Sequence, residues 1–297
     1  MARLLAFTAA AALACTHASA AADPWVLAFE DEFPGDAIDA TRWNVAAAFS
    51  GDAGTISTFA AGNVQVADGS LVLSASYAAA GGAWSSGRVD TSAGSCFETR
   101  ENPCAASHPP IAGFAQTGSG RFEARLKLPP GSLPGIAPSF RLVQDLQPST
   151  CFPARAEIDV VQMYGGAWRC KDCATNVVTG SVHYNATGQC GAGADVAGAA
   201  PVSFAPAKGT LAAPDWSSAF HVWAAEWNAT HITFEVDGVV TGVRATATAA
   251  AAAAAAALPA AITSVPFFLE LGMSLCGAPE CNAGVPAAAL PTDPQYM

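Results

Sequence analysis

The chain has 297 residues, 52% of them hydrophobic, with 24 acidic against 13 basic side chains and a formal charge of -11. That length accommodates one large all-β domain, since sandwiches of roughly 200–250 residues commonly form a single unit. The acidic balance argues against nucleic acid or an anionic membrane as partner and is compatible with a neutral ligand such as a polysaccharide.

Arg3 precedes an apolar run from Leu4 to Ala14, and Ala18-Ser19-Ala20 offers a small-residue cleavage site. Residues 1–20 read as a secretory signal peptide, too short for a membrane span, and 21–297 as one mature, secreted domain. Removing the leader takes Cys15 with it and leaves eight of nine cysteines, an even count that fits disulfides. Cys96 with Cys104, and Cys276 with Cys281, are close enough to close small loops. Cys151, Cys170, Cys173 and Cys190 then pair among themselves in an open order. Cys170-Lys171-Asp172-Cys173 has the spacing of half a zinc site but no partner cluster, so no metal and no other cofactor is expected.

Gly62 to Ala75 reads as strand, Asp-Gly turn, strand, and Gly120 to Leu128 alternates apolar with charged residues. Asn185-Ala186-Thr187 and Asn228-Ala229-Thr230 are N-glycosylation sequons in a eukaryotic source. Phe220 to Trp227 and Ile232 to Gly238 form another strand pair. Ala245 to Ala257 is nearly pure alanine with no bulky face to dock, and reads as an inserted loop. Val265 to Leu275 is a continuous apolar run suited to a buried strand. Short strands between Gly and Pro turns predict an all-β, two-sheet antiparallel sandwich.

The chemistry concentrates in Ala156-Glu157-Ile158-Asp159-Val160-Val161-Gln162. On a strand, Glu157 and Asp159 leave the same face. Position 162 belongs to the opposite face unless one extra residue at Val160-Val161, a β-bulge, returns it. Retaining glycosidases need two carboxyl groups about 5–5.5 Å apart, one nucleophile and one acid/base. Here an amide stands where the second would be.

The spacing E-x-D-x-x-E resembles the signature of glycoside hydrolase family 16, and the resemblance runs over residues 25–297. Phe29 to Phe33 with Thr41-Arg42-Trp43-Asn44 looks like that family's opening. Asn63 to Ala75 is similar to its early strand pair, and Ser86 to Thr91, Gly120 to Pro129 and Phe220 to Gly238 follow in order. The resemblance implies a concanavalin A-like β-jelly-roll with a concave cleft for β-glucans, acting as a monomer. It aligns Glu157 with the nucleophile, Asp159 with its electrostatic partner and Gln162 with the acid/base, and places His183 at the position of an active-site histidine. It implies an endo-acting β-1,3- or β-1,3/1,4-glucanase of reduced activity; the alternative is a non-catalytic polysaccharide-binding protein on the same fold.

Departures from the family pattern carry expectations of their own. Ile136-Ala137-Pro138-Ser139-Phe140-Arg141 lacks the two tryptophans of W-P-A-F-W, which weakens sugar stacking. Phe152-Pro153 replaces Trp-Pro, Ala156 replaces a glycine, and the asparagine expected around Thr55 to Phe59 is absent. Trp84, Trp168 and Trp216 either supply replacement stacking or pack in the core, the commoner fate of large aromatics. Arg141 either binds an anionic group on a charged polysaccharide or pairs with Asp145 on the surface, the reading preferred from sequence. The closing V-D-Y-V-R-V-Y strand has no counterpart before Met297, so a final strand missing from the sheet, or a truncated product, is expected, and with it no structural calcium.

Overall fold

In a computed structural model of the protein, the described residues are 5–9, 25–47, 55–78, 83–92, 113–131, 135–145, 156–165, 178–183, 202–203, 215–228, 231–247, 258–259, 265–275 and 295–296. All nine cysteines, Trp168, Phe152 and Asn185 lie outside them. Among the described residues the only helical piece is the 3-10 turn Ala61–Asn63.

The strands form the expected sandwich. One layer places Val202–Ser203, Val178–His183, Glu157–Met163, Ile136–Gln144, Phe267–Leu275, Arg88–Asp90 and Asn44–Val45 side by side, all antiparallel. The facing layer runs Leu258–Pro259, Val239–Ala247, His231–Val236, His221–Trp227, Gly120–Leu126, Leu5–Ala9, Trp25–Phe29. A third, smaller sheet of Gln295–Tyr296, Ser70–Ala78, Ala83–Ser86 and Ser57–Phe59 adjoins the first layer. Two pairings are parallel: Ser57–Phe59 with Ala83–Ser86, and Val239–Ala247 with Leu258–Pro259.

Period-2 patterning explains which faces meet. In Gly120–Leu126, Phe122, Ala124 and Leu126 enter the core, while Arg121 and Glu123 stay outside with Glu226 and Glu235. From the other layer Ile158, Val161, Met163, Phe140 and Leu142 meet them. Phe122 stacks on Trp227 with ring centres 4.9 Å apart, and Trp227 meets Phe267 edge-on at 6.0 Å. Trp84 and Trp216 are core residues, so neither is a sugar platform. Ile136–Gln144 is buried along its whole length, because its second face is covered as well.

Two turns combine positive-φ residues, Asp68-Gly69 and Asp237-Gly238, with φ of 51° and 67° and of 51° and 76°. That is the backbone of a tight hairpin whose twist matches its strands. The second of them opens a strand absent from the sequence reading, Val239–Ala247, which takes up Ala245, Thr246 and Ala247 in place of a loop. Leu5–Ala9, within the stretch read as a leader, is a strand between Trp25–Phe29 and Gly120–Leu126.

Gly87 is the joint between the small sheet and the first layer. Its N–H donates to the Ser74 carbonyl at 2.9 Å and its own carbonyl accepts from Met273 N–H at 2.9 Å. A Cβ there would sit 2.2 Å from the Asn63 carbonyl oxygen and 2.9 Å from its carbon, both backbone atoms. Gly87→Ala is therefore expected to lose about 1–3 kcal/mol through enforced backbone shift. Gly62→Ala, whose Cβ meets nothing within 4 Å, is the control. Urea midpoints measure both, and equal midpoints would refute the close-approach argument.

Candidate active site

The site begins with register. Arg141 pairs across the ladder with Asp159 on one side and Glu270 on the other; Asp159 pairs with Ser181, Glu270 with Asp90, and Asp90 with Asn44. Residues directly opposite one another share a face, so these six form one transverse row across six strands. The next row holds Thr179, Gln162, Ser139, Gly272 and Arg88.

Gln162 reaches that face because of an irregularity in the ladder. Against Ile136–Gln144, Val161 pairs with Phe140 and Asp159 with Arg141, leaving Val160 as the extra residue. Against Val178–His183 the register shifts over the same stretch. The bulge turns Gln162 to the side of Glu157 and Asp159 while Val160 and Val161 remain in the core. Within Glu157–Met163, Gln162 alone is not fully buried.

Asp159 is fully buried. Its Oδ2 accepts from Ser181 Oγ and meets His183 Nε2 at 3.0 Å, while its Oδ1 has no hydrogen-bond partner. His183 lies directly across the ladder from Glu157 and is partly open to solvent. Arg141 Nη1 donates to Glu157 Oε1 at 3.2 Å and its Nη2 donates to Glu270 Oε1. Glu270 Oε2 in turn accepts from Arg88 Nη2. Four buried ionisable groups thus run in series, Arg88, Glu270, Arg141, Glu157.

The preferred sequence reading of Arg141, a surface pair with Asp145, does not hold. Residues four apart meet on a helix, but on a strand they stand about 13 Å apart at roughly 3.3 Å per residue. Arg141 instead reaches sideways to neighbouring strands, and the Asp145 N–H donates to the Pro266 carbonyl. Glu270 and Arg88 were missed as site residues. The signal was present: one carboxylate inside the apolar run of Phe267–Leu275 must find a cation when buried.

The two carboxyl groups titrate apart. Burial pushes Glu157 up to about 8, aided by the charge and hydrogen bond of Asp159 and opposed by Arg141 and His183. Burial also acts to raise Asp159, but His183, Glu157 and Arg141 outweigh it and hold Asp159 well below the usual carboxylate range. At neutral pH the pair therefore carries one proton, on Glu157, hydrogen-bonded to the Asp159 carboxylate. The Gln162 amide on the same face has no acidic proton. Among the described residues no three His, Cys, Asp or Glu side chains converge as a metal site.

Comparison with known proteins finds the same fold. The catalytic domain of an endo-1,3-beta-glucanase (laminarinase) from Thermotoga petrophila superposes with a TM-score of 0.64 at 23% identity, over 92% of this chain and 94% of that one. An endo-beta-1,3-glucanase from Pyrococcus furiosus gives 0.62 at 19%, over 90% and 89%. A mixed-linkage-glucan family 16 protein from Bacteroides ovatus, in complex with a G4G4G3G product, gives 0.62 at 16%, over 90% and 95%. At such identities the likeness is one of fold. No curated protein sequence matches the chain. The family model of glycosyl hydrolases family 16, however, matches residues 54–267, a span that contains both carboxyl groups, the bulge and the Arg141 strand. The chain belongs to glycosyl hydrolases family 16.

Proposed function

We propose that the protein is a β-glucan-directed retaining glycoside hydrolase of reduced activity, with Glu157 as nucleophile, Asp159 as its electrostatic partner and Gln162 in the acid/base position. What supports this is the bulge at Val160, which turns Gln162 to the face of the sheet that carries Glu157 and Asp159. In the reaction the Glu157 carboxylate attacks the anomeric carbon and the glycosidic oxygen departs with a proton. Gln162 can donate a hydrogen bond to that oxygen but cannot transfer the proton, nor later take one from water. The same observation supports a second reading, a non-catalytic glucan-binding protein, in which the amide keeps the contact and abandons turnover.

A neutral glycan is the ligand the floor favours. Both Arg141 and Arg88 are engaged with carboxylates, and Glu157, Asp159, Glu270 and Asp90 outnumber them. His183 supplies a hydrogen-bonding edge at the cleft. Calorimetric titration with β-1,3-gluco-oligosaccharides is expected to give weak binding and sulfated galactan none. The reverse would favour Arg141 as an anion receptor.

Export follows from the leader-like N-terminus. We expect a monomer with a mature N-terminus near Ala21 and no free thiol. Intact mass before and after alkylation without reductant reads both; labelling at two or more cysteines in the folded protein would count against the disulfides.

Gln162→Glu is expected to raise glucan hydrolysis by about 10²-fold or more, the scale of general acid catalysis. Equal and substantial rates for both proteins would mean that position 162 is not the missing acid. An aryl 2-deoxy-2-fluoro-glycoside, whose phenolate leaves without a proton, should label Glu157 in the native protein. Because the folded site holds Glu157 neutral up to about pH 8, labelling should rise about tenfold per pH unit below that point and then level. A flat profile from pH 5 to 9 would contradict the assignment.

A further inference from the structure

We propose that Glu270 acts on Glu157 through Arg141: competing for one guanidinium, it sets how strongly Arg141 pairs with the nucleophile. The inference rests on Glu157 being the nucleophile of the site, but its physical content is independent of turnover.

The geometry is specific. Glu270 is completely buried and spends each carboxylate oxygen on a different arginine, Oε2 on Arg88 and Oε1 on Arg141. Arg141 divides its two terminal nitrogens in the same way, one to Glu270 and one to Glu157 at 3.2 Å. A guanidinium shared between two anions neutralises neither fully, and inside a sheet neither water nor salt makes up the difference. Among the described residues, the groups facing Glu157 are few. His183 comes from Val178–His183, Asp159 from its own strand and Arg141 from Ile136–Gln144; behind Arg141 stand Glu270, then Arg88 and Asp90. Of these, Glu270 takes a direct hydrogen bond from Arg141 Nη2, while Asp159 adds its charge from across the ladder. The rival interpretation is that Glu270 only completes a buried ion pair of structural value, of the kind apolar side chains replace without loss.

Carboxyl carbon NMR on protein labelled at glutamate carboxyls tests this, with Glu157→Gln identifying the resonance. Arg141→Met should raise the midpoint of Glu157, because its cation is gone. Glu270→Gln keeps an oxygen for Arg141, removes the competing charge, and should lower that midpoint by about 1–3 pH units, the range over which a neighbouring charge moves a carboxyl group. In the Arg141→Met background the Glu270→Gln change should lose most of its effect, since the intermediary is missing. The pH at half-maximal aryl-glycoside labelling should move with the NMR midpoint.

An unmoved or raised midpoint in Glu270→Gln would overturn the proposal, as would an equal shift with and without Arg141. If Glu270→Gln fails to fold, Arg88→Met with Glu270→Gln removes one charge of each sign and is read in the same way. Absence of labelling alongside the predicted NMR shifts would sink the nucleophile assignment and leave the coupling standing.

Discussion

The ladder register around Ile136–Gln144 is the constraint from which the site follows. This strand has a neighbour on each side, is buried on both faces, and offers no freedom to slide, because a shift by one residue would send Phe140 and Leu142 out of the core and Arg141 into it. With its position fixed, the partners of Arg141 are fixed too. Asp159 and Glu270 must stand beside it, and Glu157 comes within reach of its guanidinium along the next strand. The arrangement of charges is thus a by-product of core packing on the opposite side of the same sheet.

That arrangement does not serve stability in any simple way. Buried ion pairs recover little more than the cost of removing their charges from water, and apolar replacements of similar volume often do as well. What the series of charges does provide is a defined electrostatic setting. Asp159 remains a carboxylate because His183 hydrogen-bonds one of its oxygens, with Glu157 and Arg141 adding to the hold. Glu157 is buried too, and burial with the neighbouring Asp159 outweighs Arg141 and His183, so it holds its proton. Two carboxyl groups two residues apart are separated in character by their partners, the usual route by which one site obtains groups of different acidity.

Much of this was legible in the chain. Alternation in Gly120–Leu126, the Asp-Gly hairpin and the apolar run at Phe267–Leu275 each gave the right element, because each pattern reports a face that has to be buried. The bulge was legible for a chemical reason: carboxylate spacing made sense only if one residue looped out, and Val160 does. Val239–Ala247 was not legible. Val239, Val240 and Val243 are all exposed and the alanines that follow contribute no contrast, so no period marked the strand. Arg141 was misread because its partners are distant in sequence; cross-strand neighbours leave no local trace, whereas Asp145 lay temptingly near. Glu270 was visible only as an anomaly in an apolar run.

The half-exposed setting of Gln162 has a genetic corollary. Glutamine and glutamate side chains have the same shape, and their codons differ at a single nucleotide. The bulge already turns the side chain to the face of Glu157 and Asp159, and it is the one part-exposed residue of its strand. The chain therefore stands one base change from a third carboxyl group on that face. A lineage built on such a scaffold can alternate between retaining a glycan and cutting it, and the fold itself records no preference.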